Sequence, residues 1–195
     1  GVDPSGRIWL LGRLLADGTG WWIFQLLDTV GNPTDNRALT FPGYGFETTI
    51  PTAMAFQPDG NVLLGGWGKT GSPDFFASMA VARILGSTLN LDPTFGGSGT
   101  GELVITDFAP AYLRSIALQP DRSIVVAGEY GLLNQENLVV TRLSPDGTLG
   151  NAFTEYVAFD IGGSGGDGGG GMNRMVVQSD GKIVVAAAAI TGDTG

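Results

Sequence analysis

Apolar residues along this chain come in short runs broken by Pro, Asp and Gly, and one such break recurs. Ala53-Met54-Ala55-Phe56 leads into Gln57-Pro58-Asp59-Gly60-Asn61, and Val62-Leu63-Leu64-Gly65-Gly66 follows. The arrangement returns as Ser115-Ile116-Ala117-Leu118, Gln119-Pro120-Asp121-Arg122-Ser123 and Ile124-Val125-Val126-Ala127-Gly128. It returns again as Gln178-Ser179-Asp180-Gly181-Lys182 followed by Ile183-Val184-Val185-Ala186-Ala187. A degenerate copy, Asp3-Pro4-Ser5-Gly6-Arg7 before Ile8-Trp9-Leu10-Leu11-Gly12, opens the chain. Counted at Ser5, Asp59, Asp121 and Asp180, the copies stand 54, 62 and 59 residues apart. A repeat of this period sets the architecture before any local element does.

Two apolar runs flanking a tight Pro-Asp-Gly turn predict a β-hairpin, here of strands a and b. Strand b is apolar at consecutive positions, as in Ile183-Val184-Val185, which suits a strand covered on both faces. Both a and b are expected as inner strands. A third run, strand c, reads Trp22–Leu27, Met79–Leu85 and Leu138–Leu143, with Arg83 and Arg142 in register and Gln25 in their place in the first copy. After a turn, clearest as Ser144-Pro145-Asp146-Gly147, a more polar edge strand d is expected around Leu39–Phe41, Glu102–Thr106 and Glu155–Asp160. For the second copy the strands are predicted at 52–57, 61–67, 77–85 and 102–106. One unit is thus four strands, too small to bury its apolar faces alone, so the units must stack on one another.

Four short antiparallel strands per repeat is the signature of a β-propeller, and the expected fold is all-β with four-stranded antiparallel blades. A β-solenoid is the rival, but its strands are usually parallel, whereas the a–b and c–d connections read as hairpins. The copies divide the chain into 1–51, lacking its first strand, 52–111, 112–171 and 172–195. Together they supply about three and a quarter blades, fewer than the four to eight that usually close a ring. The expectation is an open segment of a larger propeller, docked on further blades of the same parent chain or on another subunit.

Composition agrees with strands and turns: 33 glycines stand against 15% charged residues, and glycine weakens helix interiors. A formal charge of −9 repels phosphate backbones, so nucleic acid is not an expected partner. No apolar run approaches the roughly 18 residues of a membrane-spanning helix. The Gly1-Val2-Asp3 start has neither an initiator Met nor a signal region, and reads as cut from something longer. Absent Cys excludes disulfides and thiolate metal sites, and fits either a reducing compartment or a secreted protein that avoids thiols.

The hairpin Gln57-Pro58-Asp59-Gly60, the strand Val81-Ala82-Arg83-Ile84 and the later Leu91-Asp92-Pro93-Thr94-Phe95-Gly96-Gly97 together resemble the bacterial delta-60 repeat. The resemblance covers essentially the whole chain. Copy 1 departs from it with Ser5 for Asp and no Phe-Gly after Pro33-Thr34. Copy 3 has Gly150-Asn151-Ala152-Phe153 where copy 2 has Asp92-Pro93-Thr94-Phe95. The resemblance implies a propeller-like segment of a large exported or surface protein, and it brings no catalytic residues with it.

Several patterns suggest chemistry. Gly162-Gly163-Ser164-Gly165-Gly166-Asp167 matches the start of a calcium-binding nonapeptide, which makes Asp167 a candidate calcium ligand. Gly169 then stands where a large apolar residue belongs and no second copy follows, so a glycine-rich linker without a tight calcium site is expected. The same window contains a dinucleotide pattern (Gly163, Gly165, Gly168) and a nucleophile elbow around Ser164, but both need a strand-to-helix turn. Without any His there is no Ser-His-Asp triad, and no hydrolysis is expected from Ser164. No other cofactor is implied. Asp59, Asp121 and Asp180 read as turn residues, one per blade, and Arg83 and Arg142 as scaffold bridging strands within their own blades.

Positions that change while the frame repeats are more informative. Eight residues past the reference Asp stand Arg13, Trp67, Glu129 and Ala188, and aromatics gather nearby at Trp21, Trp22, Phe75, Phe76 and Tyr130. Variable loops on a rigid frame are where binding surfaces form, which makes Trp21, Trp22, Trp67, Phe75, Phe76, Glu129 and Tyr130 the candidate ligand-binding residues. The alternative is that these rings pack between blades. The expected function is a non-enzymatic scaffold of a bacterial surface or secreted protein, whose loops bind a protein or glycan. A metal-dependent propeller hydrolase, lactonase or lyase is the second reading, and would need Asp, Glu and Asn around a divalent cation in the channel. A structural spacer or filament component is the third.

Overall fold

The computed structural model describes residues 1–16, 19–39, 46–70, 76–107, 110–131, 137–155 and 171–188. Among them are thirteen strands and no helix: β1 (Ile8–Ala16), β2 (Thr19–Leu27), β3 (Pro33–Leu39), β4 (Phe46–Phe56), β5 (Val62–Thr70), β6 (Ala77–Ile84), β7 (Glu102–Ile105), β8 (Ala111–Leu118), β9 (Ile124–Tyr130), β10 (Asn137–Leu143), β11 (Leu149–Glu155), β12 (Gly171–Val177) and β13 (Ile183–Ala188). They form four antiparallel meanders in chain order, β1-β2-β3, β4-β5-β6-β7, β8-β9-β10-β11 and β12-β13.

The repeated turn is one hydrogen-bonded frame. Gln57 N–H donates to Asn61 O at 2.8 Å and Gly60 N–H to Gln57 O at 3.0 Å. The same two bonds close the turns at 3–7, 119–123 and 178–182, and also the connections at 28–32 and 144–148. A carboxylate locks each frame: Asp59, Asp121, Asp146 and Asp180 accept the backbone N–H two residues on, while Asp3 and Asp28 do so from the first position. The degenerate first copy therefore folds as the others do. The fourth turn residue has positive φ, as at Gly60 (88°) and Gly181 (85°), and at 119–123 that residue is Arg122 (70°). Left-handed backbone is unfavourable for a residue with a Cβ, so Arg122→Gly is expected to raise the unfolding free energy by about 1 kcal/mol, measured by urea titration.

Several strands lie elsewhere than expected. Strand a is not an inner strand of its own sheet: β4 and β8 are sheet edges, covered by neighbouring sheets. β4 starts at Phe46 rather than at residue 52, because a bulge between Pro51 and Ala53 carries the ladder past the proline. In the first and third sheets strand d comes earlier, at Pro33–Leu39 and Leu149–Glu155, since the tight turn delivers the chain straight into it. The rest of those expected spans, 40–41 and 156–160, lies outside the described residues. Of the three c–d connections among the described residues, that of the second sheet is longer, and in it Leu91 bridges back to Ile84 before the chain reaches β7.

The sheets pack face to face, and their first strands meet: β4 on β1 and β2, β8 on β4, β5 and β6, and β12 on β8 and β9. Alternation along strand b explains how one strand serves two cores. Val62 and Leu64 join Trp9, Trp22, Phe24 and Ala80 against the first sheet, while Leu63 joins Leu113, Ile124 and Val126 against the third. Val125 and Ala127 then face Met172 and Met175 of the fourth. Each such fully buried aliphatic side chain contributes about 1.5–3 kcal/mol, and all of these are at most 7% exposed.

Polar latches tie the same seams together. Buried Arg83 donates from Nε to Asp92 Oδ2 (2.8 Å), from one terminal nitrogen to Thr94 Oγ1 (3.1 Å), and from the other to Pro145 O of the third sheet (2.7 Å). Burial pushes the Asp92 carboxyl up, but hydrogen bonds from Thr94 and the charge of Arg83 outweigh it and hold it below the usual range. Arg7 makes the corresponding reach from the first sheet to Gly86 O of the second, at 3.2 Å. These arginines thus join neighbouring sheets, rather than only strands of one sheet as expected. Arg142 stays nearer the expectation, half-exposed and 3.7 Å from Asp121 of its own sheet.

Candidate functional site

An antiparallel meander sends its a–b and c–d turns to one end and its b–c and d–a connections to the other. The turn end is built from the single frame described above. The loop end is where the copies diverge, at 17–18, 71–76 and 131–136 between b and c, and at 40–45, 106–110 and 156–170 between d and a.

Near the loop end the a strands β4, β8 and β12 carry a bulge at the same place, between Pro51 and Ala53, Leu113 and Ser115, and Met172 and Arg174. The extra residue bends the strand towards its partner, which must be small there: a Cβ on Gly66 would lie 2.2 Å from Ile50 O, and one on Gly128 2.0 Å from Tyr112 O. The extra residues Thr52 and Arg114 then link sheets. Thr52 Oγ1 donates to Leu113 O of the third sheet at 2.6 Å. Arg114 donates from Nε and a terminal nitrogen to Glu129 Oε2 (3.0 and 2.7 Å), and Glu129 Oε1 accepts Met172 N–H of the fourth sheet at 2.8 Å. The acceptor Leu113 and the donor Met172 occupy equivalent positions, so both links reach the same point of the next sheet. Glu129→Gln keeps an acceptor for Met172 but loses the charge-assisted pair, and is expected to cost about 1–2 kcal/mol in urea unfolding.

Aromatic rings extend this line. Trp67 meets Tyr112 edge-on with centroids 5.0 Å apart, and the Arg114 guanidinium stands 5.9 Å from the Tyr112 ring. Trp67, Tyr112, Arg114 and Glu129 therefore form one contiguous group across the second and third sheets, with Arg114 exposed and both rings half-buried. Chemically it presents π-faces beside a guanidinium, a surface suited to sugar rings or to a protein side chain.

The sequence-derived candidates divide accordingly. Trp67 and Glu129 belong to the group, with Glu129 buried and committed to holding the fourth sheet. Tyr130 is half-buried against the core between the second and third sheets. Trp22 is fully buried in the core between the first and second sheets, so it packs rather than presents a binding surface. Trp21 sits half-buried on the opposite face of β2, across from Leu14, and Phe76 is 46% exposed at the start of β6. Phe75 and Asp167 lie outside the described residues, as do residues 162–170. Among the described residues no three or more His, Cys, Asp or Glu side chains are placed to hold a metal. Tyr112 and Arg114 were not anticipated. Their signal was a slip in the alternation, buried Leu113 and Ile116 standing three apart instead of two, as Met172 and Met175 do.

The turn, strands b and c and the c–d turn of the third sheet carry the pattern that other proteins share: residues 119–153 match a family model described as a domain of unknown function, beta-propeller (DUF5122). The sheets are propeller blades. No curated protein matches the chain. Among the described residues no helix is long and apolar enough to cross a membrane.

Proposed function

We propose that the chain is a non-enzymatic scaffold of delta-60-type blades in a bacterial surface or secreted protein, binding a protein or glycan partner with its loop end. The observation that carries the reading is the contrast between the two ends: six turns share one hydrogen-bonded frame, while the loops opposite differ in length and sequence. A frame held constant beneath varied loops is how a scaffold presents a binding surface. Trp21, Trp67, Tyr112, Arg114 and Phe76 supply the aromatic and cationic contacts. A glycan array probed with the intact chain, together with capture of candidate surface proteins, tests this. Phe76→Ser combined with Arg114→Ala should abolish the binding found, while Lys182→Ala at the turn end should leave it unchanged. Binding that survives the first pair and fails with the second would refute the assignment.

The outer faces of the first and fourth blades take further blades of the same kind. Leu10 is 47% exposed, yet its equivalents Leu64 and Val126 are fully buried; Val184 is 46% exposed, yet its equivalents Leu63 and Val125 are fully buried. Apolar positions that every internal seam covers are the natural docking faces for another blade, in this chain's parent or in a second subunit.

A further inference from the structure

The turn end holds a cavity in the seam between the second and third blades. It measures about 160 Å³ and is lined by Gln57, Pro58 and Asp59 from one a–b turn and by Leu118 and Arg122 from the next blade. Two of its wall residues have polar groups without a partner. Arg122 holds a left-handed backbone conformation where the equivalent residues are Gly6, Gly60 and Gly181, and its guanidinium makes no hydrogen bond or ion pair among the described residues. Gln57, in the opposite wall, is 5% exposed and its Oε1 is buried with no partner among the described residues. Gln119 repeats the unfilled acceptor one seam further on, but there it faces Gly181, whose carbonyl takes its Nε2 at 2.8 Å. Arg122 is therefore what distinguishes this seam. Backbone strain that a glycine would remove, placed over a cavity, is the pattern of a site selected for contact rather than for stability.

We propose that this seam binds a single neutral pyranose ring. Arg122 disfavours a cation and the Asp59 carboxylate disfavours an anion, so the wall suits a neutral molecule offering both donors and acceptors. Sugar hydroxyls do both: they donate to the Asp59 carboxylate and accept from the Arg122 guanidinium. Leu118 and Pro58 supply carbon for the C–H face of the ring. The cavity is smaller than the roughly 300–1,000 Å³ of drug-sized sites, which limits it to one ring. This site lies at the opposite end of the blades from the loop surface and does not depend on it.

The test uses the intact chain with the methyl glycosides of glucose, galactose, mannose and N-acetylglucosamine, followed by saturation-transfer NMR and calorimetry, with inorganic phosphate as the anionic control. Saturable binding of at least one glycoside in the millimolar range is expected, since a ligand of this size gains little more. Arg122→Gly should weaken it roughly tenfold or more while raising Tm, because it restores the residue the turn prefers. Asp59→Asn, which keeps an acceptor for the Asn61 N–H, should weaken binding without unfolding the chain. No saturable glycoside binding, an unchanged affinity in Arg122→Gly, or phosphate bound more tightly than any glycoside would each overturn the proposal.

Discussion

Phe95→Ala is expected to destabilise the chain by about 3–5 kcal/mol, a large share of the roughly 5–15 kcal/mol that holds a domain together. The ring is fully buried in the core between the second and third blades, with the Arg83 guanidinium 4.9 Å from its centroid. It sits under the c–d turn of the third blade so closely that a Cβ on Gly147 would lie 2.3 Å from its Cε2 atom. Gly96 N–H then donates to Asp146 O at 2.9 Å, and Arg83 reaches Pro145 O in the same turn. The Asp92–Gly96 segment is thus a plug from one blade seated in the turn of the next. Urea unfolding measures the loss, and a double-mutant cycle checks its origin. Gly147→Ala should be costly alone, through its φ of +82° and its clash with the ring, and should lose the clash component in the Phe95→Ala background. Additive effects, or a Phe95→Ala cost below about 1 kcal/mol, would show that the ring does not join the blades.

Stability is expected to fall by roughly 2–3 kcal/mol between pH 4.5 and 7 on account of Glu102. Its side chain lies opposite Ala82, on the face of the second blade that packs towards the first, and it is 1% exposed with neither carboxylate oxygen partnered among the described residues. Burial alone pushes its pKa up to about 7 from 4.5. Well below pH 4.5 the group is protonated both folded and unfolded and adds no pH-dependent penalty. As the pH rises towards 7 the unfolded chain loses this proton while the folded chain keeps it, so the penalty grows, and above 7 it is constant. On the acid side Asp3 and Asp92 act in the opposite sense. Burial raises each, but hydrogen bonds and neighbouring arginines hold both lowered, so their contribution is present above 3.8 and is lost as the pH falls below it. Glu102→Gln should flatten the decline and leave the variant more stable than the parent at pH 8. Parallel stability profiles for parent and variant from pH 5 to 8 would contradict this.

What the sequence revealed and what it hid follow from the range of the interactions involved. The turns were legible because Pro, Asp and Gly act within five residues, and strand b because it is apolar on both faces. Strand d was misplaced in the first and third blades: nothing local distinguishes a tight turn at 28–32 from a longer one, and polar edge strands lack alternation. The loop-end group was half legible. Trp67 and Glu129 stand out by replacing one another at a repeat position, whereas Tyr112 and Arg114 are brought to them by a bulge whose trace is one displaced apolar residue. Trp22 was misleading because an aromatic at a strand end reads alike whether it faces solvent or the next sheet. The reach of Arg83 into the third blade depends on sheet stacking, which no spacing within one copy encodes.

These sheets stack as interchangeable blades by one rule, and on the proposed reading the outer faces carrying Leu10 and Val184 dock further blades. Light scattering on the 20.2 kDa chain across a concentration series reads that docking. A mass that exceeds 20.2 kDa and rises with concentration is expected, returning to the monomer value when Leu10→Asp and Val184→Asp are combined. A single species of monomer mass at every concentration, unchanged by those substitutions, would show that these faces do not dock blades.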